Sequence, residues 1–430
     1  MKRVLVITYY WPPTGGSGVQ RWVKFAKYLP SEGWQPVIYT PSNPERQSVD
    51  ETLLADIPPE AEIITRKITE PYGLYRRLMG KGSTTDMKTL TSGGGKSIKG
   101  RLSLWLRSNL FIPDPRVWWV NPSVGFLKKY LKEHPVDVII TTGPPQSMHL
   151  IGLRLHKETG LPWISDFRDP WTRMYWFKKM GLSARSERLH YQMEKEVLDS
   201  SSAVLTVTTM VRDLYKGLTS TRVEMITNGY DEEDFEGPVE GDGHFNITHT
   251  GIFPGDGNPE VLWDVLQRKA ASDPEFAEAL RIRLVGKTDA GIYSSLGSHG
   301  LSSKIIDLGY QPHNVAVREQ RAASVLILPL RDDPDYRMIL PGKLFEYVAS
   351  CRPVLGIGQE DGAMAELVKE TGAGTVCNWD NREAVSAFID GCWEKYKAGT
   401  LDGTARGYER YSRRNLTKVL ADLLNAVADK

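Results

Sequence analysis

Cysteine is scarce: the 430 residues hold three, Cys351, Cys377 and Cys392, all in the last fifth of the sequence. None belongs to a Cys-x-x-Cys pair or stands beside a histidine cluster. This argues against a disulfide framework or a structural zinc site and fits a reducing compartment. Long apolar runs are missing as well. No stretch approaches the roughly 20 apolar residues that span a bilayer, and the opening Met1-Lys-Arg-Val-Leu-Val-Ile-Thr-Tyr-Tyr10 is apolar only over residues 4–7, too short for a signal-peptide core. The expectation is a cytoplasmic protein that touches a membrane only peripherally. Net charge is also nearly absent, +1 from 54 Lys+Arg and 53 Asp+Glu, so no global field argues for a nucleic-acid partner.

What is present is an ordinary globular composition, 40% hydrophobic and 25% charged, in a chain long enough for two or three domains. Short apolar runs alternate with helical stretches: Arg3-Val-Leu-Val-Ile-Thr8, Pro36-Val-Ile-Tyr-Thr40, Val136-Asp-Val-Ile-Ile-Thr141, Pro162-Trp-Ile-Ser165, Ala203-Val-Leu-Thr-Val207 and Val223-Glu-Met-Ile-Thr227. Such runs read as buried parallel strands of an α/β sheet. Periodicity lapses across the polar, Gly-rich residues 228–243, then resumes at Phe245-Asn-Ile-Thr-His-Thr250, Arg281-Ile-Arg-Leu-Val285, Lys304-Ile-Ile-Asp-Leu308, Ser324-Val-Leu-Ile-Leu328, Pro353-Val-Leu-Gly-Ile357 and Gly374-Thr-Val-Cys377. The expected organisation is a first domain over 1–235, with a mobile basic insertion at about 80–100, and a second over 236–410. A terminal amphipathic helix over 411–430 follows, with Leu416, Val419, Leu420, Leu423, Leu424 and Val427 on one face.

Near-neutrality is a cancellation. Residues 66–132 hold 14 basic and 3 acidic side chains, a local excess of 11, so the remainder carries about −10. Basic residues beside Leu102, Leu104, Trp105 and Leu106 suit an anionic membrane surface, where each cation adds roughly 1 kcal/mol. They are equally consistent with a solvated loop followed by a core helix.

Three segments could carry chemistry. The first strand runs into Tyr9-Tyr-Trp-Pro-Pro-Thr-Gly-Gly-Ser-Gly18 and a helix. Gly15 and Gly16 at that turn either let backbone N–H groups approach a phosphate or serve a tight turn. The spacing is neither a Gly-x-Gly-x-x-Gly fingerprint nor a P-loop. The second is Trp163-Ile-Ser-Asp-Phe-Arg-Asp-Pro-Trp-Thr172. Asp166, Arg168, Asp169 and Trp171 follow a buried strand there, and Arg168 is expected to pair with Asp166 or Asp169, as a structural pair or in a site. In the third, Arg331-Asp-Asp-Pro-Asp-Tyr-Arg-Met-Ile-Leu-Pro-Gly-Lys-Leu-Phe-Glu-Tyr347, the Gly342 backbone and the Lys343 ammonium can hold a diphosphate, while Glu346 can accept from sugar hydroxyls. The neighbouring acids Asp332, Asp333 and Asp335 are expected to neutralise Arg331 and Arg337 rather than to bind metal.

Taken in order, Pro12-Pro-x-Gly-Gly16, Asn228-Gly-x-Asp231, Lys343-Leu-Phe-Glu-Tyr347, Arg352-Pro-Val354 and the terminal helix resemble a GT-B glycosyltransferase of family 4 type along essentially the whole chain. The Asp-Phe-Arg-Asp-Pro-Trp segment is most similar to bacterial enzymes that build surface polysaccharide and lipopolysaccharide. The resemblance implies two Rossmann-like, doubly wound parallel-sheet domains facing a cleft, the last helix crossing back to the first domain. It implies retaining transfer, without a metal or other cofactor, of a hexosyl or N-acetylhexosaminyl group. The donor would be a UDP- or GDP-sugar and the acceptor a glycan or lipid-linked hydroxyl.

Carried over residue by residue, Glu346 takes the place of the ribose-binding Glu. Glu346 is the second Glu of that Glu-seven-residues-Glu pattern; Met338 stands where the first would face the donor sugar, and Arg168, with Asp169 next, where a histidine is usual. Thr250-Gly-Ile-Phe-Pro-Gly-Asp256 supplies neither the usual Arg nor Lys, which leaves Lys287, Arg331 and Lys343 to meet the phosphates beside Gly15, Gly16, Gly251, Gly342 and Leu344. Leu308-Gly-Tyr310 matches the segment that reads the base. Asp166 and Trp171 are expected on the acceptor side, and Arg168, Asp169 and Lys343 at the reaction centre. A nucleotide-sugar epimerase, or a non-catalytic binding protein of the same fold, is the alternative.

Overall fold

The computed structural model describes residues 1–46, 48–69, 105, 108–174 and 176–429. The insertion expected at about 80–100 lies outside the described residues. The chain divides into two compact units, one made of Met1–Thr227 and Thr417–Lys430, the other of Asn228–Leu416.

The first unit is built on β1 (Lys2–Ile7), β2 (Trp34–Pro41), β3 (Glu62–Arg66), β4 (Val138–Gly143), β5 (Trp163–Phe167), β6 (Ala203–Thr206) and β7 (Val223–Met225). They form one sheet in the order β3-β2-β1-β4-β5-β6-β7, and every neighbouring pair is parallel. Helices lie between the strands in sequence: α1 (Ser17–Tyr28), α2 (Val120–Glu133), α3 (Ser147–Thr159), α4 (Ala184–Ser200) and α5 (Thr209–Lys216). Val4, Ile7, Ile139, Ile140 and Ile164 have no exposed surface, as continuous apolar runs in a parallel sheet require. α1 buries Val19, Trp22, Val23, Phe25 and Ala26 on its sheet-facing stripe. The edge strand β3 was not legible as a run because its register leaves Ile63 exposed.

The second unit repeats the plan with β8 (Phe245–Thr250), β9 (Leu280–Val285), β10 (Ile305–Gly309), β11 (Val325–Pro329), β12 (Val354–Ile357) and β13 (Gly374–Cys377). Their order is β10-β9-β8-β11-β12-β13, again parallel. Its helices are α6 (Glu260–Ser272), α7 (Pro274–Ala279), α8 (Ala290–Ser298), α9 (His313–Ala322), α10 (Lys343–Ala349), α11 (Ala363–Thr371) and α12 (Arg382–Lys397). Alternation along β11 fills a core on each face: Val325 and Ile327 join Trp263 and Trp393, while Leu326 and Leu328 join Leu344, Phe345 and Val348.

The units part after Thr227, eight residues before the expected boundary. Tyr230 explains the difference: its N–H donates to Tyr411 O (3.2 Å) and its carbonyl accepts from Arg413 N–H (2.8 Å), which ties residues 228–235 to the second unit. The last helix, α13 (Arg413–Ala428), belongs to the first unit from Thr417 onward. Lys2 Nζ donates there to Asn425 Oδ1 (3.3 Å) and pairs with Asp429 (2.9 Å). Leu420, Leu423, Leu424 and Val427 are buried, whereas Val419 is exposed and does not share their face. Among the described residues no helix is long and apolar enough to cross a membrane.

In each sheet the strand order reverses beside the first strand, between β1 and β4 and between β8 and β11. Ligands of open α/β sheets bind outside the carboxyl ends of strands at such switch points.

Candidate functional site

At the first switch point, the loop leaving β1 is braced by residues 48–50. Gly15 N–H donates to Ser48 O (3.1 Å) and Asp50 N–H to Pro13 O (2.8 Å). A Cβ on Gly15 would stand 2.9 Å from Ser48 Oγ, whereas nothing lies within 4 Å of the corresponding position on Gly16. α1 begins there with no side-chain cap, so its first N–H groups are left for water or a ligand. Arg168, just past β5, lies on this first turn: a Cβ on Gly18 would fall inside its guanidinium. Arg168 is fixed by Nε donating to Gly143 O (3.1 Å) and Nη2 donating to Pro144 O. Burial pushes its pKa down, against the opposing pull of Asp169 and Asp166. Asp169 makes no hydrogen bond or ion pair among the described residues.

At the second switch point, α10 delivers two charged side chains to the end of β8. Lys343 Nζ donates to Thr250 O (2.6 Å) and Ile252 O (3.4 Å) and lies 3.2 Å from His249 Nε2. Burial lowers its pKa to about 8, with Glu346 opposing. The lysine approaches through glycine. Gly251 has φ +87°, its absent Cβ would stand 3.1 Å from Nζ, and a Cβ on Gly286 (φ +132°) would overlap Gly251 O. Both positions therefore need a residue without a side chain.

Glu346, one turn on from Lys343, accepts at Oε2 from Gln320 Nε2 (2.8 Å), and the same nitrogen reaches Thr250 Oγ1 (3.0 Å). Its other oxygen lies 4.0 Å from His313 Nε2, which is 3.2 Å from Asp234. Lys287 is exposed, and Tyr310 is 73% exposed just past the end of β10. The end of β8 thus presents a cation and a carboxylate, with an exposed aromatic ring past the end of β10, two strands away in the same sheet.

The comparisons with known proteins join this geometry. A family model described as a glycosyl transferase 4-like domain matches residues 15–229, half of the chain. The chain belongs to the glycosyl transferase 4-like family. Its two units are the GT-B glycosyltransferase fold. Sucrose-phosphate synthase from Thermosynechococcus elongatus is similar at a TM-score of 0.65 and 14% identity, with 99% of each chain covered. WaaG, a glycosyltransferase involved in lipopolysaccharide biosynthesis, is similar at 0.58 and 13%, covering 98% of this chain and 99% of that one. A putative UDP-N-acetylglucosamine 2-epimerase from Listeria monocytogenes is similar at 0.57 and 11%, covering 100% and 97%. A search of curated proteins finds no match.

Several residues expected in the site of this glycosyltransferase are placed elsewhere. Asp166 does not pair with Arg168. It has no exposed surface and accepts from Arg21 Nη2 (3.0 Å) and Nε (3.3 Å), Trp22 Nε1 (2.8 Å) and Thr142 Oγ1 (2.9 Å). Burial, the largest single influence, would raise its pKa, but Arg21, the Trp22 hydrogen bond and the charge of Arg168 together hold it below 3.8. Trp171 is likewise enclosed, its indole donating to His190 Nδ1 (3.0 Å). Both side chains are thus engaged by partners within the first unit. Leu344 lies in the core, and its N–H is taken by Pro341 O (3.0 Å). Arg331 pairs with Asp256 and covers the Tyr336 ring at 5.3 Å, and Arg337 pairs with Asp361 (2.6 Å), two acidic partners outside the Asp332, Asp333 and Asp335 group.

Sequence reasoning also missed residues of this glycosyltransferase. His249, Gln320 and His313 surround Lys343 and Glu346 but lie 26 to 94 positions from the residue each one contacts. In the first unit, Gln146 and His149 flank Arg168's anchor, with both Gln146 amide atoms and His149 Nε2 buried and without a hydrogen-bond partner among the described residues. His149 Nδ1 lies 2.8 Å from Thr141 Oγ1, and burial pushes its pKa down to about 3. Only the apolar surroundings of His149 on α3 hinted at a buried ring.

Proposed function

We propose that this chain is a retaining, metal-independent glycosyltransferase that moves a hexosyl or N-acetylhexosaminyl group from a UDP- or GDP-sugar. The acceptor is a hydroxyl of a glycan or lipid-linked molecule in cell-surface polysaccharide assembly. The observation that supports it most is the pairing of Lys343 and Glu346 on α10 at the end of β8, the cation against Thr250 O at 2.6 Å and the carboxylate held by Gln320 at 2.8 Å.

A departing nucleoside diphosphate gains negative charge on its β-phosphate, and a cation already in place stabilises that charge without reorganising. Lysine has three N–H donors. Those of Lys343 meet Thr250 O, His249 and Ile252 O, and the 3.4 Å contact to Ile252 is the longest. A phosphate oxygen takes that place at least cost. Glu346 Oε1 lies beyond hydrogen-bond reach of His313 at 4.0 Å, so it is available to the ribose hydroxyls. Gly251 and the Gly342 backbone border the phosphates, Lys287 and Arg331 add positive field, and Tyr310 meets the base. In the first unit, Arg168 and Asp169 serve the acceptor beside Gly15 and Gly16, and the leaving phosphate takes the proton of the acceptor hydroxyl. Likeness to WaaG favours a surface-polysaccharide role at the level of fold.

Titration calorimetry of UDP and GDP tests the donor side. Glu346→Ala should lose about tenfold or more in affinity, since hydrogen bonds to charged groups contribute about 1.5–3 kcal/mol. Equal binding by the variant would sink the ribose assignment. Sugar-nucleotide turnover should require a glycan or lipid acceptor. Turnover without acceptor favours an epimerase, and no turnover favours a binding protein.

A further inference from the structure

His249 is the penultimate residue of β8, buried and stacked on Phe253 with ring centroids 4.1 Å apart. Its Nε2 lies 3.2 Å from Lys343 Nζ. An ammonium only donates, so at this contact Nε2 presents its lone pair and the ring proton resides on Nδ1. Nδ1 has no partner among the described residues, so the contact with Lys343 alone selects the tautomer. Burial first, and then the charge of Lys343, hold the imidazole well below its ordinary pKa. The ring is therefore neutral throughout the physiological range.

We propose that His249 is a positioning residue, a side-chain acceptor that aims the Lys343 ammonium at the nucleoside diphosphate. The proposal rests on the diphosphate reading of Lys343. Of the three acceptors around Nζ, Thr250 O and Ile252 O are backbone carbonyls, and Ile252 lies in an exposed turn. His249 supplies the one side-chain acceptor, and its stacking on Phe253 locks its direction.

The titratable groups around Lys343 are His249 from β8 and Glu346 and Tyr347 from its own helix. His313 from α9 lies 4.0 Å from Glu346 and 3.2 Å from Asp234. A neutral acceptor bonded to an ammonium favours the protonated lysine. It therefore opposes the burial that pulls Lys343 down to about 8.

The experiment is calorimetry of UDP, GDP, uridine and guanosine from pH 6 to 9.5 on wild type, His249→Phe and His249→Asn. Phe keeps a ring against Phe253 but cannot accept, whereas Asn restores an acceptor. Wild-type affinity for the preferred diphosphate should fall with a midpoint near pH 8. In His249→Phe that affinity should drop about tenfold at pH 7, the loss of one charge-assisted bond. Its midpoint should move to lower pH, nucleoside affinity should hold, and Asn should recover most of the loss. A Phe variant that does not fold is replaced by His249→Leu, with the same expectation. An unchanged diphosphate affinity and midpoint, or an equal loss for nucleosides, overturns the proposal. Wild type that binds neither diphosphate at any pH overturns the diphosphate reading itself, and this proposal with it.

Discussion

Asp166→Ala should destabilise the first unit severely without acting on substrate. The substitution strips acceptors from Arg21 Nη2 and Nε, Trp22 Nε1 and Thr142 Oγ1. Arg21 and Asp166 both have fully enclosed side chains, and the guanidinium is left with Thr227 O alone (2.8 Å). Removing one partner of a buried pair costs about 3–5 kcal/mol, because the other charge stays buried and unpaired. Replacing both, as Arg21→Met with Asp166→Leu, should cost no more than about 2 kcal/mol, since an apolar pair of similar volume leaves no orphan charge. Urea unfolding followed by tryptophan fluorescence measures both, and adding the single variants Arg21→Met and Asp166→Leu to wild type and the double variant closes a double-mutant cycle. Two units can give two transitions, so the one that shifts is the one to read.

The same pair has a pH signature. The folded carboxyl is held below its ordinary 3.8, so its contribution is complete above about pH 4 and disappears as pH falls through the folded value. Asp166→Asn should lack that acid-side loss. If Asp166→Ala cost less than about 1 kcal/mol and instead raised the KM for acceptor, the assignment of Asp166 as a structural anchor would be refuted.

Other consequences can be measured separately. His149, neutral in the fold down to about pH 3, charges in the unfolded chain near 6.5. It should therefore make stability fall by up to about 1.4 kcal/mol per pH unit between those values, and His149→Phe should flatten that slope in denaturant titrations. Gly286→Ala should lose more than about 1 kcal/mol and weaken nucleotide binding, because a new methyl meets Gly251 O at a positive φ; a thermal-shift series with UDP and GDP reads both effects. Reversing Lys96, Lys99, Arg101 and Arg107 to glutamate should abolish sedimentation with phosphatidylserine vesicles but not with neutral ones, and unchanged sedimentation would count against membrane docking through residues 66–132.

Much of the architecture was legible because parallel strands buried on both faces must be apolar throughout. The run at residues 3–8 falls on β1 within one position, and that at 245–250 coincides with β8. β3 escaped because an exposed edge has no such constraint. The charged segments were harder. Asp-Phe-Arg-Asp places Asp166 and Arg168 two residues apart, and on a strand such residues share a face. Yet Arg168 lies beyond the end of β5 and turns to the backbone of Gly143 and Pro144, while Asp166 points into the layer where α1 presents Arg21.

By itself, then, the sequence determined where strands and helices fall, that two α/β units follow one another, and that Lys343 and Glu346 share a helix end. Those are local properties, set by apolar periodicity and by spacing along one element. Tertiary structure alone decided partners: Asp166 with Arg21, Arg331 with Asp256, Lys343 with His249, Glu346 with Gln320. A charge that loses water on folding must find its counterpart across the packing of distant segments, and no local spacing records which one that will be.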